Sequence, residues 1–128
     1  MEITIQFGEE AIPRPYSSLS GIQDTGALLE FYGTVRGSEN GAPIKGLRYE
    51  LYESMAECEI RRILTELQSH SPCQAVTVVH RHGVVPVGES AIYVGILSEH
   101  RHEAFTLLSR FMDRMKQDVP IWKAEVLR

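Results

Sequence analysis

The residues Ser98-Glu99-His100-Arg101, at the start of a predicted helix, have the side chains needed to bind an anion. His100 and Arg101 place an imidazole and a guanidinium beside the backbone N–H groups that the first turn of a helix leaves unpaired. Cations at this end of a helix oppose its dipole, and a bound phosphate or carboxylate would offset them. The alternative is an exposed turn in which Glu99 and Glu103 balance the two cations.

Two lysines near the end of the chain are candidates for chemistry at a carbonyl group. Lys116 lies in the last predicted turn of this helix, and Lys123 follows in Ile121-Trp122-Lys123. Either amine could act on a carbonyl if burial or a neighbouring cation lowered its pKa. Without such a function, Lys116 is a cation that interacts favourably with the dipole at the C-terminal end of the helix. Lys123 is then a solvent-facing residue of a strand.

Arg36 is a further candidate for anion binding. It lies in Gly33-Thr34-Val35-Arg36-Gly37, where a strand ends in a glycine-containing loop. A guanidinium at such a position can hold an oxyanion through two parallel hydrogen bonds, although a single arginine at a loop edge is commonly only solvated. The net charge of −4 argues against general nucleic-acid binding, so an anionic ligand would need a local cationic pocket.

Histidine and cysteine side chains give weaker indications of a site. His80 and His82 would share one face of a strand, which can suit a metal ion, but no Cys, Asp or Glu accompanies them at a telling spacing. Cys58 and Cys73 match no zinc pattern and have no evident activating partner. They are therefore expected to be free thiols without a catalytic role.

Apolar periodicity predicts the strands that position these residues. Alternating or β-branched runs are typical of strands, and clusters of Gly, Pro and Ser are typical of loops. The predicted strands are 3–7, 26–35, 47–52, 75–82, 90–97 and 121–127. The predicted loops are 8–25, with a short helical turn near Ser17–Ile22, then 36–43, and the turn 83–88.

Two helices are predicted between the strands. Ser54-Met55-Ala56-Glu57 has capping-box spacing and opens a helix that ends before Pro72. The apolar residues on one side of this helix are Met55, Ile60, Ile63, Leu64 and Leu67. Ser98 is the predicted cap of the second helix, which extends through Gln117. Its apolar residues at helical spacing are Phe105, Leu108, Phe111, Met112 and Met115.

The order of the elements favours an α+β fold with a largely antiparallel sheet, because strands occur in neighbouring groups and do not alternate regularly with helices. The 128 residues fit a single domain, spanning 1–128. No apolar run reaches the roughly 18 residues of a membrane span, and Met1–Ile5 lacks the pattern of a signal peptide. The expected location is therefore the cytoplasm.

Five stretches, in order along the chain, carry a resemblance to a known family. They are Phe31-Tyr32-Gly33-Thr34-Val35-Arg36-Gly37, Tyr49-Glu50-Leu51-Tyr52-Glu53-Ser54-Met55-Ala56-Glu57, His80-Arg81-His82-Gly83-Val84-Val85-Pro86-Val87-Gly88-Glu89, Ser98-Glu99-His100-Arg101, and Lys116 through Pro120-Ile121-Trp122-Lys123-Ala124-Glu125. With these stretches the chain resembles the MoaE family, the large, catalytic subunits of molybdopterin synthases. The resemblance covers most of the chain, from Gly26 to Glu125.

The resemblance implies an α/β-hammerhead-like fold and a sulfur transferase of molybdenum cofactor biosynthesis. A small ubiquitin-like subunit would carry sulfur as a thiocarboxylate on its C-terminal Gly-Gly tail. Two sulfurs would pass in turn to cyclic pyranopterin monophosphate, a phosphorylated pterin, and form the dithiolene of molybdopterin. The family also implies that this step needs no metal or other cofactor, and that the chain is a homodimer within a heterotetramer with two small subunits.

The same resemblance implies a set of site residues, position by position. The residues implied to hold the pterin phosphate are Arg36, His100 and Arg101. The residues implied to be catalytic, and also to contact the substrate, are Lys116 and Lys123. The apolar pocket-lining residues are Phe31 and Met112. The flanking residues implied to contact substrate are Thr34, Val35, Ala124 and Glu125.

Helix geometry adds a hypothesis about how this site is assembled. Arg101 and Lys116 are 15 positions apart on one predicted helix, hence roughly 22 Å apart along its axis at about 1.5 Å of rise per residue. Two side chains would not meet on one small substrate across that distance. The pocket is therefore expected to be shared, with one chain supplying Arg36 and the lysines and its twofold mate supplying His100 and Arg101.

Two features depart from the family pattern. Glu99 stands where the family often has alanine, and its carboxylate lies beside the predicted anion site. The family usually continues with a polar tail beyond the stretch that contains Trp122 and Lys123, whereas this sequence stops at Arg128. The alternative function is therefore a catalytically weakened homologue that binds an anion or a partner and lacks the family's C-terminal tail.

Overall fold

The computed structural model describes residues 1–16 and 20–128, which form nine strands and two helices. The strands are β1 (Glu2–Gly8), β2 (Ala27–Thr34), β3 (Ser38–Glu39), β4 (Ala42–Pro43), β5 (Gly46–Leu51), β6 (Ala75–Arg81), β7 (Gly83–Pro86), β8 (Ser90–Ser98) and β9 (Ile121–Leu127). The helices are α1 (Glu53–Gln68) and α2 (Arg101–Asp118). The helical turn predicted near Ser17–Ile22 includes residues 17–19, which lie outside the described part of the chain.

A four-stranded sheet in the order β1-β6-β8-β2 forms the centre of the fold. β1 and β6 are parallel, and the other two strand pairs are antiparallel. Every residue of β8 is buried, consistent with its position inside the sheet with a strand on each edge. A second sheet, β7-β5-β9, is antiparallel throughout. The predicted α+β fold, with two main helices and mostly antiparallel strands, is confirmed.

Both helices bury one face in the main core. α1 and α2 contact each other, α1 also contacts β1, and α2 contacts β2 and β8. The helical core residues are Ala56, Ile60, Ile63, Leu64, Leu67, Ala104, Leu107, Phe111 and Met115. Burying this apolar area stabilises the fold by about 25 cal/mol for each Å² removed from water. Neither α1 nor α2, the helices of the described residues, is long and apolar enough to cross a membrane.

Two residues predicted on the apolar stripes of the helices are exposed. Met55 is 59% exposed, so its placement on the buried side of α1 is wrong. Met55 precedes Ile60 by five positions, which puts it about 140° away around a helix that turns about 100° per residue. Ala56, four positions before Ile60, is fully buried instead. Phe105 is 56% exposed for the same reason, because the buried stripe of α2 runs through its neighbour Ala104.

The predicted caps of both helices are wrong. α1 begins at Glu53 with Tyr52 as its N-cap residue and no side-chain cap, so Ser54 lies inside the first turn and does not cap it. α2 begins at Arg101 with His100 as its N-cap residue, again without a side-chain cap. Ser98 is the last residue of β8, and its hydroxyl donates to the carbonyl oxygen of His100. A serine three positions before a glutamate therefore did not define a helix start here.

Two segments predicted as loops contain short strands. Residues 36–43 include the hairpin of β3 and β4, in which Glu39 pairs with Ala42. The two turn residues, Asn40 and Gly41, have φ angles of 52° and 80°. Positive φ at both positions is typical of a type I′ turn, which Asn-Gly favours. The predicted turn 83–88 likewise includes β7, which pairs with β5.

Candidate active site

A cavity of about 400 Å³ lies where the first sheet, the second sheet and the C-terminal end of α2 meet. Residues of β2 and β8 form one wall, residues of β5 and β9 form another, and the last turn of α2 completes it. The predicted site residues that line this cavity are Phe31, Thr34, Val35, Arg36, Met112, Lys116 and Lys123. The fold thus brings together seven residues that are distributed over three separate stretches of the sequence.

Three cations face this cavity from different elements. Arg36 follows the end of β2, Lys116 lies in the last turn of α2, and Lys123 lies in β9. All three are exposed to solvent. Glu39, at the end of β3, faces them with a carboxylate whose Oε1 lies 3.5 Å from Lys123 Nζ. The cavity is therefore locally cationic on a chain whose net charge is −4.

Part of the wall of this cavity is apolar. Phe31 and Met112 are partly buried and pack against the main core. A Cβ atom at Gly33 would lie 2.5 Å from Cγ2 of Ile92, so a larger residue there would displace a side chain of the wall. A flat apolar group could therefore lie against Phe31 and Met112 while an anionic group points at the cations.

Tyr49 and His80 give the wall a polar section. His80 Nδ1 donates to the carbonyl oxygen of Arg81 at 2.7 Å, which leaves Nε2 as an acceptor. Burial lowers the pKa of His80, so the imidazole is neutral at neutral pH. Tyr49 meets this ring edge-on, with centroids 5.3 Å apart. Burial, and then the charge of Glu39, raises the pKa of Tyr49, so the phenol also stays uncharged.

His100 and Arg101 lie at the other end of α2. They line a second cavity of about 510 Å³ together with Gly26, Glu99, His102 and Phe105. α2 is continuous from Arg101 to Asp118, so the predicted separation of Arg101 and Lys116 along one helix is confirmed. Within one chain, the cations predicted to hold the phosphate thus fall into two groups, Arg36 near the lysines and His100 with Arg101 apart from them.

Ala124 and Glu125 do not line the 400 Å³ cavity, although they were predicted to contact substrate. β9 pairs Lys123 with Tyr49 and Glu125 with Arg48, which leaves Ala124 as the extra residue of a β-bulge. Arg48 and Tyr49 are neighbours on β5 and therefore point to opposite faces of the sheet. Their partners Glu125 and Lys123 consequently point to opposite faces as well. Glu125 accordingly accepts a hydrogen bond from Arg48 at 2.9 Å on the exposed side.

The histidine and cysteine candidates form no common site in the described part of the chain. β6 ends at Arg81, and His82 lines a different cavity from His80. Within residues 1–16 and 20–128, no three His, Cys, Asp or Glu side chains are grouped so that they could hold a metal ion. Cys58 is exposed and Cys73 is buried, and both are free thiols. Burial, with a contribution from the charge of Glu103, raises the pKa of Cys73 to about 11.

Glu39, Tyr49 and Trp122 are cavity residues that the sequence analysis did not identify. For Glu39 the signal was Asn40-Gly41, because this pair is typical of the two-residue loop of a β-hairpin. It would have placed Glu39 on a strand three positions after Arg36. Tyr49 and Trp122 belong to correctly predicted strands. Which face of those strands turns toward α2 depends on how the two sheets are arranged, and the alternation of residues does not contain that information.

The sequence is similar to that of a known protein family. The sequence model of the family described as "MoaE protein" matches residues 9–118. A protein from Homo sapiens named molybdopterin synthase catalytic subunit is 39% identical over 101 residues, which are 79% of this chain and 54% of the human protein. The chain thus spans about half the length of the human relative and of its bovine and rat counterparts.

Solved structures show the same fold. The crystal structure of molybdopterin synthase from Staphylococcus aureus superposes with a TM-score of 0.83 at 31% identity, over 99% of this chain and 90% of that chain. A chain from a Helicobacter pylori structure also superposes, with a TM-score of 0.74 over 98% of this chain and 88% of that chain. That structure is described as a complex of subunits 1 and 2 of molybdopterin-converting factor. Its sequence identity is 22%, so this second likeness concerns the fold alone.

Proposed function

Because the chain belongs to the MoaE protein family, we propose that it is the catalytic subunit of a molybdopterin synthase. It would transfer sulfur from the C-terminal thiocarboxylate of a small ubiquitin-like subunit to cyclic pyranopterin monophosphate, forming the dithiolene of molybdopterin. The observation that carries this proposal is the cavity that gathers Arg36, Lys116 and Lys123 on an acidic chain. Local positive charge of this kind attracts and orients anionic reactants.

The proposed chemistry explains why cations are needed. Each transfer forms a bond between the sulfur of the tail and a carbon of the pterin precursor, and breaks the bond between that sulfur and the carbonyl carbon of the tail. A carbon–oxygen bond breaks at the precursor carbon in each transfer. One of the two oxygens stays on the phosphate, whose ring opens, and the other leaves as water. Water supplies the oxygen that leaves a carboxylate on the tail. Negative charge develops on the carbonyl oxygen as water adds, and Lys116 and Lys123, which line the same cavity, would stabilise it. Arg36 can pair with an oxyanion of either reactant.

The phosphate of the precursor is assigned to residues of a second chain. His100 and Arg101 line a separate cavity at the far end of α2, where the backbone N–H groups of the first turn also favour an anion. A twofold axis would place these residues of one chain beside the lysines of its mate, twice per dimer. Two small subunits, one per cavity, would complete a heterotetramer.

Sharing of the site predicts that two inactive variants restore each other. We expect Lys116→Ala and Arg101→Ala homodimers to be inactive, and an equal mixture, refolded together, to recover about a quarter of the wild-type rate. The reason is that half of the dimers are then mixed, and each mixed dimer has one site with both residues intact. The measurement is the rate of molybdopterin formation per site before and after the two variants are refolded together.

A site built within one chain gives a different result. Every site of a mixed dimer would then contain one of the two substitutions, and the rate would stay at the level of the separate variants. The control is a mixture refolded from two samples of the same variant, which must stay inactive under either arrangement.

The proposed activity itself is tested by reconstitution. The purified chain, a small subunit carrying a C-terminal thiocarboxylate and cyclic pyranopterin monophosphate should together yield molybdopterin, detected by conversion to a fluorescent oxidation product. A small subunit that ends in an ordinary carboxylate is the control and should give no product. Binding of the precursor without turnover would contradict the enzymatic proposal and favour a homologue that only binds an anion.

A further inference from the structure

Glu39 places a negative charge inside an otherwise cationic cavity. Its Oε1 lies 3.5 Å from Nζ of Lys123, and the two side chains are 23% and 46% exposed. Lys116, the other lysine of this cavity, forms no ion pair with any residue of the described chain. The cavity therefore has one lysine whose charge is paired with a carboxylate and one whose charge is available.

The hairpin of β3 and β4 fixes the backbone from which this carboxylate extends. Glu39 and Ala42 pair across the two-residue turn of Asn40 and Gly41. The N–H of Ile44 donates to the carbonyl oxygen of Gly37 at 3.1 Å and closes the base of the hairpin. A tight turn of this type holds its flanking residues in a defined register. The carboxylate thus extends toward Lys123 from an ordered hairpin and not from an unstructured loop. Glu39 is only three positions after Arg36 in the sequence.

The position of Glu39 also limits what else can occupy the cavity. The pair with Lys123 lies partly in solvent, where ion pairs contribute little stability and exchange readily for other partners. An anionic ligand that approaches Lys123 would meet a like charge at short range as long as Glu39 stays in place. The charge of Glu39 also acts on Tyr49, on the same wall, where after burial it is the second cause that raises the phenol pKa. Binding of an anion at Lys123 and pairing with Glu39 are therefore alternatives.

We propose that Glu39 is an internal counter-ion that occupies the anion position at Lys123, and that an anionic ligand must displace it. Glu39 thereby sets the affinity of the cavity for anions and keeps weakly bound anions out of it. The displacement rests only on the geometry of the cavity. The identity of the natural anion, the tail of the small subunit or the pterin precursor, rests on the proposed function.

Binding of inorganic phosphate at low ionic strength tests the displacement without any turnover. Trp122 is the single tryptophan of the chain and lines the cavity beside Lys123, so its indole N–H resonance reports binding at this place. We expect Glu39→Gln to bind phosphate about two- to fivefold more tightly than the wild type, the range that corresponds to loss of one exposed ion pair. Glu57→Gln removes the same charge from the exposed face of α1 and should leave the affinity unchanged.

Two further variants separate direct pairing from a general effect of charge. Glu39→Asp keeps the charge but shortens the side chain, so it should behave like Glu39→Gln if contact with Lys123 matters. Combining Glu39→Gln with Lys123→Gln should abolish the gain, because the lysine that Glu39 blocks is then absent. The proposal is overturned if Glu39→Gln binds no more tightly than Glu57→Gln, if Glu39→Asp matches the wild type, or if phosphate leaves the Trp122 resonance of Glu39→Gln unchanged.

These outcomes are independent of the reconstitution of molybdopterin synthesis. Tighter phosphate binding by Glu39→Gln in a chain that yields no product would retain the counter-ion and remove the enzymatic proposal. If the chain forms product but Glu39→Gln leaves phosphate binding unchanged, the enzymatic proposal is retained and the counter-ion proposal is lost.

Discussion

Replacing Lys116 with alanine is expected to lower kcat for the proposed sulfur transfer by about 100-fold or more. Removing one group that stabilises the negative charge of a transition state typically costs about 10²- to 10³-fold in kcat. Lys116 is exposed and outside the buried stripe of α2, so the free energy of unfolding should change by no more than about 0.5 kcal/mol. The measurements are the rate of molybdopterin formation at saturating precursor and unfolding in urea.

Lys45 provides the matched control for this substitution. The chain has three lysines, and Lys45 is the one that does not line the cavity, so Lys45→Ala should keep the wild-type rate. Lys116→Arg retains the positive charge but not the primary amine. Partial activity of Lys116→Arg would indicate that charge is sufficient, whereas full loss would indicate that the amine itself reacts. A Lys116→Ala enzyme within about threefold of the wild-type kcat, a difference under about 1 kcal/mol, would contradict the assigned role.

Replacing Phe111 with alanine is expected to destabilise the chain by about 3–5 kcal/mol. Phe111 is 1% exposed and belongs to the core between α2, α1 and the first sheet. The substitution removes the transfer free energy of the ring and leaves a cavity that the surrounding side chains only partly fill. The measurement is the free energy of unfolding from urea denaturation, with an unchanged dependence on urea concentration to show that the unfolding reaction is the same.

Phe105 is the control on the same helix. It is 56% exposed, so Phe105→Ala should cost less than about 1 kcal/mol. The two variants remove the same atoms from one helix and differ in burial. Equal losses of stability in the two variants would show that the core is not where the structure places it.

Most of the long elements could be predicted from the sequence because they bury one face or both. The strand predicted over 3–7 is Glu2–Gly8, the strand over 90–97 is Ser90–Ser98, and the final strand over 121–127 is confirmed. Burial of a face imposes a period of two residues on a strand and 3.6 on a helix, and these periods can be read directly from residue types. The α+β class followed from the order of these elements.

Helix starts and short strands could not be predicted in the same way. Neither helix uses the serine that the sequence offered as a cap, since Tyr52 and His100 are the N-cap residues and neither provides a side-chain cap. The strands β3, β4 and β7 are only two to four residues long, which is too short for a period to be recognised. They form because the neighbouring segments of the chain align them, as Asn40 and Gly41 do for the first pair.

What the sequence by itself determined is the family, the class of fold and the identity of the cationic side chains, because residue type and spacing depend on the chain alone. What only the tertiary structure decided is which of these side chains share a space. Lys116 and Lys123 meet Arg36 because the last turn of α2, the start of β9 and the segment after β2 line one cavity, whereas Glu125 is turned away by a bulge at Ala124. A bulge and the arrangement of two sheets depend on contacts between distant segments, so no local pattern records them.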